Sequence, residues 1–315
     1  MKHVIKNLIK NSLFIPQYFK LKKSHNKIKP FFGYVGFETS GRQKRMQRLT
    51  DYFGNYFFNP NILYVGSQWG KLNHVSAIKY KVKRNIPIIL NQNGIYYPGW
   101  FKGDYKKQND DLININNFSD DVIYQSEFCR NSLEELSGKK LKKGIILHNC
   151  APVHKKNLRT TELIKKNTDF NCFLGGVFNS DADHILFPAL NAIEKLNSKQ
   201  THTKYFLKIA GIFTRSAQDQ SWYKKLISKI NELSKQNVCK YIGPYNNNNF
   251  SSILSDVDIA LHLKYKDPCP NAVVEKMNLG IPHIYSDSGG TPELIGNSGI
   301  PLYVKDSWDK QQSVS

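Results

Sequence analysis

The sequence is poor in cysteine and has no cysteine pair of the kind that binds a metal. Only five of its 315 residues are cysteines, and the two nearest along the chain, Cys129 and Cys150, are 21 positions apart. This spacing contains no CxxC zinc motif, and an odd, widely spaced set does not indicate a disulfide framework. Free cysteines are typical of a reducing compartment, so we expect a cytoplasmic protein.

Long apolar segments are also missing. No run reaches the ~18–20 residues that a transmembrane helix needs, and the N-terminus lacks the small-residue cleavage site of a signal peptide. Apolar residues nevertheless recur at helical spacing between lysines within residues 2–13. Such a basic amphipathic helix either lies on the anionic inner face of a membrane or packs on the protein's own surface. Peripheral membrane contact is therefore one of two expectations for this segment.

Acidic residues are scarce relative to basic ones. The sequence has 45 Lys and Arg against 25 Asp and Glu, which gives a net charge of +20. A nucleic acid, an anionic membrane or a phosphate-bearing small molecule would each suit this charge, as would a lysine-rich solvated surface. No zinc-finger or RNA-recognition signature accompanies the basic residues, so we do not expect a nucleic-acid partner. A basic nucleic-acid-binding protein is the alternative that the charge alone suggests.

Short apolar runs alternate with helical patterns, as in a parallel α/β fold. The strand candidates are Ile62–Val65, Ile86–Leu90, Val122–Tyr124, Ile145–Leu147, Phe173–Phe178, Tyr205–Ile209, Val238–Ile242, Asp258–Leu263 and His283–Tyr285. Apolar strands separated by helices favour parallel sheets covered on both faces. Two successive series predict two doubly wound, Rossmann-like domains facing across a cleft, at residues 1–160 and 161–315.

The most informative segment follows the strand candidate Asp258–Leu263. Asp267 lies in a proline-containing loop, and a helix is predicted to begin near Asn271, a residue type that suits the cap position. The unpaired N–H groups and positive end of a helix start suit a diphosphate. Glu275 lies one turn inside, where its carboxylate could accept two hydrogen bonds from a ribose diol. Asp267 could hold sugar hydroxyls.

This segment resembles the donor-binding signature of the large, mostly retaining family of GT-B glycosyltransferases. That signature has two acidic residues separated by seven others, then Gly, Ile or Val before Pro, and a later Gly-Gly-x-x-Glu. Asp267, in place of the usual Glu, and Glu275 stand at the acidic positions, and the later positions are held by Gly280, Pro282, Gly289, Gly290 and Glu293. The resemblance implies that Glu275 binds the ribose and Asp267 the transferred sugar.

Further pieces resemble the same family. The Asn-Gln-Asn-Gly string of a bacterial polysaccharide-type subgroup implies substrate contacts at Asn93 and Gly94. Gly243 lies in a loop of the type that meets the nucleotide base, and Gly41 in a glycine-containing loop that meets donor or acceptor. At the predicted helix start, the resemblance implies donor contacts for Pro270, Asn271 and Ala272.

One departure concerns the donor's phosphates. Relatives usually carry an Arg and a Lys after the first strand of the second domain, and these neutralise the diphosphate. Here the Arg is absent and His184 stands where the Lys aligns, so His184 either meets phosphate or packs in its helix. Lys208 and Arg215 are candidate substitutes. Two Asp-x-Asp pairs, beginning at Asp181 and Asp256, resemble the metal-holding motif of another glycosyltransferase class, but such pairs arise often by chance and we predict no metal site.

The resemblance spans residues 35–300 and implies an enzyme of polysaccharide biosynthesis. It would move a hexose-type sugar from a UDP- or GDP-sugar to a glycan or lipid-linked acceptor, with retention and without metal or other cofactor. The missing Arg, and a chain that ends sooner than its relatives, leave open a nucleotide-sugar-binding relative without catalysis. A sugar-nucleotide epimerase on the same scaffold is the other enzyme class that the pattern allows.

Overall fold

The computed structural model describes residues 28–33, 41–56, 58–151, 169–199, 202–246 and 249–314. The chain divides into two compact units. The first comprises the described residues of Met1–Tyr97 together with Phe101–Asn149, and the second comprises Pro98–Trp100 and the described residues from Cys150 onwards. The predicted basic helix within residues 2–13 and the predicted domain boundary at residue 160 lie outside the described residues.

The first unit contains a five-stranded parallel sheet in the order β1-β2-β3-β4-β5. Its strands are β1 Pro30–Phe31, β2 Ile62–Gly66, β3 Ile88–Gln92, β4 Asp121–Tyr124 and β5 Ile145–Ile146. Its helices are α1 Gly41–Phe53, α2 Lys71–Arg84, α3 Tyr105–Phe118 and α4 Glu127–Ser137, with a 3₁₀ turn at Ser67–Trp69. The chain crosses from each strand to the next through a helix, as a parallel sheet requires.

Local sequence explains where the helices of this unit begin and end. The Ser126 hydroxyl accepts a hydrogen bond from the Cys129 N–H at 3.1 Å and so caps α4 at its start. Gly138 ends α4 in the left-handed conformation, with φ of +65°, which a residue without Cβ adopts freely. The Asp104 side chain caps α3 in the same way as Ser126 caps α4, through the Lys107 N–H.

The second unit contains a six-stranded parallel sheet. Its strands are β6 Asp169–Phe178, β7 Lys204–Phe213, β8 Cys239–Gly243, β9 Ile259–His262, β10 His283–Ser286 and β11 Gly299–Leu302. Its helices are α5 Asp183–Asn197, α6 Arg215–Gln218, α7 Ser221–Lys235, α8 Phe250–Leu254, α9 Asn271–Met277 and α10 Thr291–Ile295. The parallel sheets of both units confirm the predicted α/β class.

The strand order of the second sheet reverses at β6. From one edge to the other the order is β8-β7-β6-β9-β10-β11, which corresponds to the 3-2-1-4-5-6 order of a Rossmann fold. The chain adds β7 and β8 on one side of β6 and then returns to pair β9 on the other side. In such sheets a ligand binds outside the carboxyl ends of the strands at the reversal. The loops after β6 and β9 are therefore the expected site.

The core of the second unit fixes these loops. Helices α5 and α7 pack against each other, and they cover β7 and β8 respectively. Leu190 of α5, Leu207 of β7 and Leu226 of α7 are completely buried. Burying each leucine contributes roughly 1.5–3 kcal/mol. None of the helices in the described ranges is long and apolar enough to cross a bilayer.

Two local predictions are corrected by the structure. Helix α9 begins at Asn271, and Pro270 occupies the cap position in an extended conformation with φ of −69° and without a side-chain cap. Asn271 is thus inside the helix, because the fixed φ of proline suits the border between loop and helix. The strand predicted over Ile86–Leu90 runs instead over Ile88–Gln92. Proline at position 87 has no N–H for a sheet ladder, and the shift places Asn93 just beyond the carboxyl end of β3.

Candidate functional site

The loop after β9 carries a close ion pair at the strand reversal. The Lys264 Nζ atom lies 3.1 Å from Asp267 Oδ2. The Asp267 side chain is only 12% exposed and the Lys264 side chain is 56% exposed. Burial is the largest influence and acts to raise the pKa of Asp267, but the positive charge of Lys264 and the hydrogen bonds to the carboxylate together outweigh it, and the net pKa is lowered. Asp267 is therefore a carboxylate at neutral pH, and the Lys264 ammonium already balances its charge.

The backbone around Asp267 is packed too tightly for any side chain at the facing glycine. The Gly290 N–H donates to the Asp267 carbonyl at 2.8 Å. A Cβ atom on Gly289 would lie 2.5 Å from the same carbonyl oxygen, and its φ is +70°. This explains the Gly-Gly pair of the sequence signature, since it lets the loop after β10 approach Asp267.

A buried lysine anchors the same loop to the C-terminal tail. The Lys266 Nζ atom lies 3.5 Å from the centre of the Trp308 ring and forms an ion pair with Asp306. Its neighbour Tyr265 accepts a hydrogen bond from the Ser307 N–H at 2.6 Å. These contacts hold Lys266 in a left-handed conformation with φ of +48°. Sequence reasoning missed this anchor because its two halves lie about forty residues apart along the chain.

Glu275 lies close to the loop that follows β8. Burial raises the pKa of Tyr245 to about 12, and the negative charge of Glu275 adds to that rise. The Tyr245 ring stacks on Phe250 with the ring centres 5.6 Å apart. Gly243, at the end of β8, has φ of +88° and open space where a Cβ would lie. The structure thus brings Glu275 and the Gly243 loop together through Tyr245, which the sequence did not single out.

The residue after Glu275 faces the interior. The Lys276 side chain is 1% exposed, and its Nζ donates to the Ala272 carbonyl at 2.8 Å and lies 5.6 Å from the Phe173 ring centre. Burial lowers the pKa of Lys276 to about 8. Ala272 and Asn271 are half-buried in the first turn of α9, while Pro270 is buried. The three predicted contacts at the helix start are therefore grouped at one edge of the loop that carries Asp267.

His184 lines a pocket of about 470 Å³ after β6, with Asp181, Asp183, Gln311 and Ser313. Its Nδ1 atom is hydrogen-bonded to the Asp181 carbonyl, so Nδ1 must carry the proton. Burial lowers the pKa of His184, which makes the neutral ring the resting form. In that form Nε2 is an acceptor and suits a hydroxyl better than a phosphate. Because Pro188 has no N–H, the His184 carbonyl also lacks its helical donor.

The predicted residues of the first unit lie at the carboxyl edge of its sheet. Asn93 Oδ1 accepts hydrogen bonds from Asn91 Nδ2 at 2.7 Å and from Gln125 Nε2 at 2.6 Å. The Gln92 Nε2 atom donates to the Gly94 carbonyl at 2.9 Å. Gly41 is the first residue of α1, the helix that carries Arg45. The amide network and Arg45 were not identified as site residues from the sequence.

The other charged candidates lie outside the loop that carries Asp267. Lys208 pairs with Asp256, and Asp258 Oδ2 accepts from the Asn171 N–H at 2.7 Å. Asp256 and Asp258 precede β9, so their bonds to Lys208 and Asn171 connect neighbouring strands near their amino ends. Lys208 is therefore not at the ligand edge. Arg215 is exposed at the start of α6. Within the described ranges, no group of three or more His, Cys, Asp and Glu side chains is arranged to hold a metal.

Comparisons with known proteins bear on this arrangement. Residues 181–314 match the family model described as Glycosyl transferases group 1. Comparison with curated protein sequences gives no match. Among solved structures, the chain is similar to Anabaena HepE in complex with UDP, with a TM-score of 0.59 and 16% identity over 82% of this chain and 67% of that chain.

Two further solved structures are similar. Sucrose-phosphate synthase from Thermosynechococcus elongatus has a TM-score of 0.56 and 13% identity, over 84% of this chain and 64% of that chain. A glycosyltransferase from Rickettsia africae has a TM-score of 0.54 and 15% identity, over 88% of this chain and 71% of that chain. This chain therefore spans 64–71% of the length of these three proteins.

Two parallel sheets with their helices, together with these neighbours, define the two-domain GT-B fold, as the sequence predicted. The family match narrows the class of the second unit: residues 181–314 match the glycosyl transferases group 1 model. The matched region begins at Asp181 and includes both Asp267 and Glu275, so the ion pair at the strand reversal and the Glu275 and Tyr245 side chains lie within it.

Proposed function

We propose that the protein transfers a hexose-type sugar from a nucleotide sugar bound at the strand reversal of the second unit. The observation that carries the proposal is the placement of Asp267 and Glu275 on the loop and helix that follow β9, inside the matched region. A UDP-sugar is the preferred donor. Support comes from the Anabaena HepE structures, which contain UDP in one case and UDP-glucose in another.

Each part of the donor has a group suited to it. The Glu275 carboxylate accepts hydrogen bonds from the two ribose hydroxyls. Gly243 leaves its backbone open beside Tyr245, where a flat base fits. Asp267 accepts from hydroxyls of the transferred sugar, and Pro270, Asn271 and Ala272 line the path between sugar and ribose. The neutral His184 ring offers Nε2 as a further acceptor for a sugar hydroxyl.

The leaving diphosphate needs positive charge, and Lys264 is placed to supply it. The loop after β6 carries two acids, Asp181 and Asp183, in place of the cations that the family resemblance leads one to expect. Lys264 is the cation beside Asp267, and its exposed ammonium can contact solvent-borne ligands while keeping its pair. Attraction to Asp267 raises the pKa of Lys264, so its charge persists through neutral pH. A fixed positive charge there stabilises the charge that develops as the donor bond breaks.

The proposed reaction retains the configuration at the anomeric carbon. The bond from that carbon to the diphosphate oxygen breaks, and its electron pair leaves with the nucleotide. The acceptor hydroxyl bonds to the carbon from the same face and passes its proton to the departing diphosphate. No protein nucleophile and no cofactor take part in this scheme. The acceptor is proposed to be a glycan or a lipid-linked glycan.

The experiment is a calorimetric titration with UDP-glucose, UDP-galactose, UDP-N-acetylglucosamine and the GDP-sugars, on the wild type and on Glu275→Ala. One donor series should bind the wild type, and the substitution should weaken it by roughly 10- to 100-fold, the cost of hydrogen bonds to a charged group. Glu232→Ala, in the exposed part of α7, is the matched control and should bind normally. A folded wild type that binds none of these donors would refute the proposal.

A further inference from the structure

The carboxyl edge of the first sheet holds a positive charge that no carboxylate of the described residues pairs with. The Arg45 guanidinium, half-buried in α1, donates to Asn91 Oδ1 at 2.5 Å and to the Leu147 carbonyl at 3.3 Å. It also lies against the Tyr64 hydroxyl. In the part of this unit that the structure describes, the ion pairs belong to other cations, namely Lys71, Lys81, Arg130 and Lys139. Neutral oxygens fix the position of Arg45 without balancing its charge.

Asn93 provides a second donor at the same edge. This side chain is 93% buried, since 7% of its surface is exposed. Its Oδ1 atom accepts two hydrogen bonds, from Asn91 and Gln125, which fixes the orientation of the amide. The Nδ2 atom, on the other arm of the same amide, makes no hydrogen bond with the described residues. The Nδ2 atom is not one of the fully buried polar atoms without a partner, so this NH₂ group reaches solvent and can donate to a ligand.

The two donors belong to one connected network. Arg45 holds Asn91, Asn91 holds Asn93, and Gln125 holds Asn93 from the neighbouring strand end. The Asn93 backbone is fixed as well, since its N–H donates to Ser67 Oγ at 3.0 Å. A network of this kind is rigid before a ligand arrives, and it presents a cation and an N–H donor together. A neutral sugar would leave the guanidinium charge unbalanced, whereas an oxyanion would satisfy both groups.

We propose that this edge, formed by Arg45 and the Asn93 amide, binds an anionic group of the acceptor, so that the acceptor is a glycan bearing a phosphate or a carboxylate. The inference rests on the proposed function in that it assigns the ligand as an acceptor. The binding site itself lies wholly within the first unit and involves no donor-binding residue.

The test measures ligand binding with the full chain. Glucose 6-phosphate, glucuronate and glucose are titrated separately, with UDP at saturation so that the donor site is filled. The wild type should bind at least one of the two anions ten times or more tightly than glucose, and the stronger anion distinguishes a phosphate from a carboxylate. Equal affinity for glucose and for both anions would overturn the proposal.

Three variants separate the site from the general positive field of the protein. Arg45→Gln should abolish the preference for the anion, and Arg45→Lys should keep part of it. Arg84→Gln removes the same charge from an exposed position at the end of α2 and should leave the preference intact. Equal losses in Arg45→Gln and Arg84→Gln would show that net charge alone is responsible, and would also overturn the proposal.

Asn93→Asp covers the case in which Arg45→Gln fails to fold. It keeps an oxygen for the Asn91 and Gln125 donors but replaces the free NH₂ group with a second oxygen, so anion binding should be lost while the melting temperature changes little. Retained anion binding in this variant would exclude Asn93 from the site. If the wild type does not bind UDP, the donor proposal fails, and the same titrations without UDP still decide the acceptor site.

Discussion

Lys264 Nζ and Asp267 Oδ2 lie 3.1 Å apart within one loop, three residues from each other in sequence. The pair places opposite charges next to each other at the point where the second sheet reverses its strand order. In the proposed donor site, Asp267 would therefore face a sugar without repelling the diphosphate that carries it. The exposed side of the Lys264 ammonium keeps donor capacity for a phosphate oxygen.

Replacing Lys264 with Met should weaken UDP binding without changing uridine binding. The lost charge-assisted contact corresponds to roughly a 10- to 100-fold rise in the dissociation constant for UDP. Uridine lacks phosphate, so its affinity reports only on the base and ribose contacts. Calorimetry with both ligands measures the difference.

Arg215→Met is the control for that experiment. Arg215 is exposed after β7 and is the other cation near the carboxyl edge that sequence reasoning considered. We expect its replacement to change UDP affinity by less than about threefold, the size of a screened surface effect. A larger effect at Arg215 than at Lys264 would move the phosphate contact to the β7 side of the site.

Gly289→Ala should damage the site more than Gly296→Ala. Both glycines have positive φ, at +70° and +52°, so both substitutions carry backbone strain. Only at Gly289 does the added Cβ meet backbone, 2.5 Å from the Asp267 carbonyl oxygen, whereas nothing lies within 4 Å at Gly296. Thermal unfolding and donor titration of the two variants isolate the effect of the steric clash at Gly289, because the backbone strain is common to both. Equal effects in the two variants would contradict the assigned packing.

The stability of the second unit should fall on acidification because of His283. This side chain is fully buried, and burial, with the nearby charge of Lys276, lowers its pKa to about 3. The ordinary value is about 6.5, so between these values the unfolded chain binds a proton that the folded chain does not. Stability is therefore complete above pH 6.5 and decreases as pH falls, by up to about 1.4 kcal/mol per pH unit.

Urea unfolding between pH 4.5 and pH 7.5 tests this sign and its source. His283→Leu should flatten the dependence by about one proton, while His262, whose pKa burial also lowers to about 4, retains part of it. The exposed His202 provides the control, since His202→Gln should leave the slope unchanged. A wild type whose stability rises below pH 6 would contradict the assignment.

Trp308→Ala should loosen the loop that carries Lys264 and Asp267. The substitution removes the ring that lies 3.5 Å from the Lys266 ammonium and leaves a buried charge with less compensation, at a cost of about 1–2 kcal/mol. We expect a lower melting temperature and a weaker donor affinity together. Tyr303→Ala, which removes an exposed aromatic from the same tail, should change neither by a comparable amount.

Nine of the eleven described strands could be predicted from the sequence, because a buried parallel strand is a run of consecutive apolar residues, whereas β1 Pro30–Phe31 and β11 Gly299–Leu302 were not predicted. All nine strand candidates overlap observed strands, and the candidate Ile86–Leu90 is shifted by two residues to Ile88–Gln92 because of Pro87. The acidic residues Asp267 and Glu275 could also be identified from the sequence, because they belong to one short segment with fixed spacing.

The remaining site residues could not be predicted because their partners are distant in sequence. Arg45 meets Asn91 across 46 residues, and Lys266 meets the tail across 40. The role of Lys264 was missed for a different reason. A lysine in a chain with 45 basic residues carries no signal until the structure places it beside a buried carboxylate. The Asp256-x-Asp258 pair matched a metal-binding motif by residue type. Its position at the amino ends of the strands shows that its role is structural.

Three residues from the first half of the chain complete the second unit. Pro98–Trp100 belongs to that unit, and the Gly99 N–H donates to the Trp308 carbonyl at 2.8 Å. A Cβ on Gly99 would lie 2.9 Å from the backbone of Lys310, so the two segments are in direct contact. A fragment that starts at residue 150 would therefore lack a piece of its own fold, next to the tail that anchors Lys266. Separate expression of the halves should give a second half that binds donor poorly until a peptide containing residues 98–100 is restored.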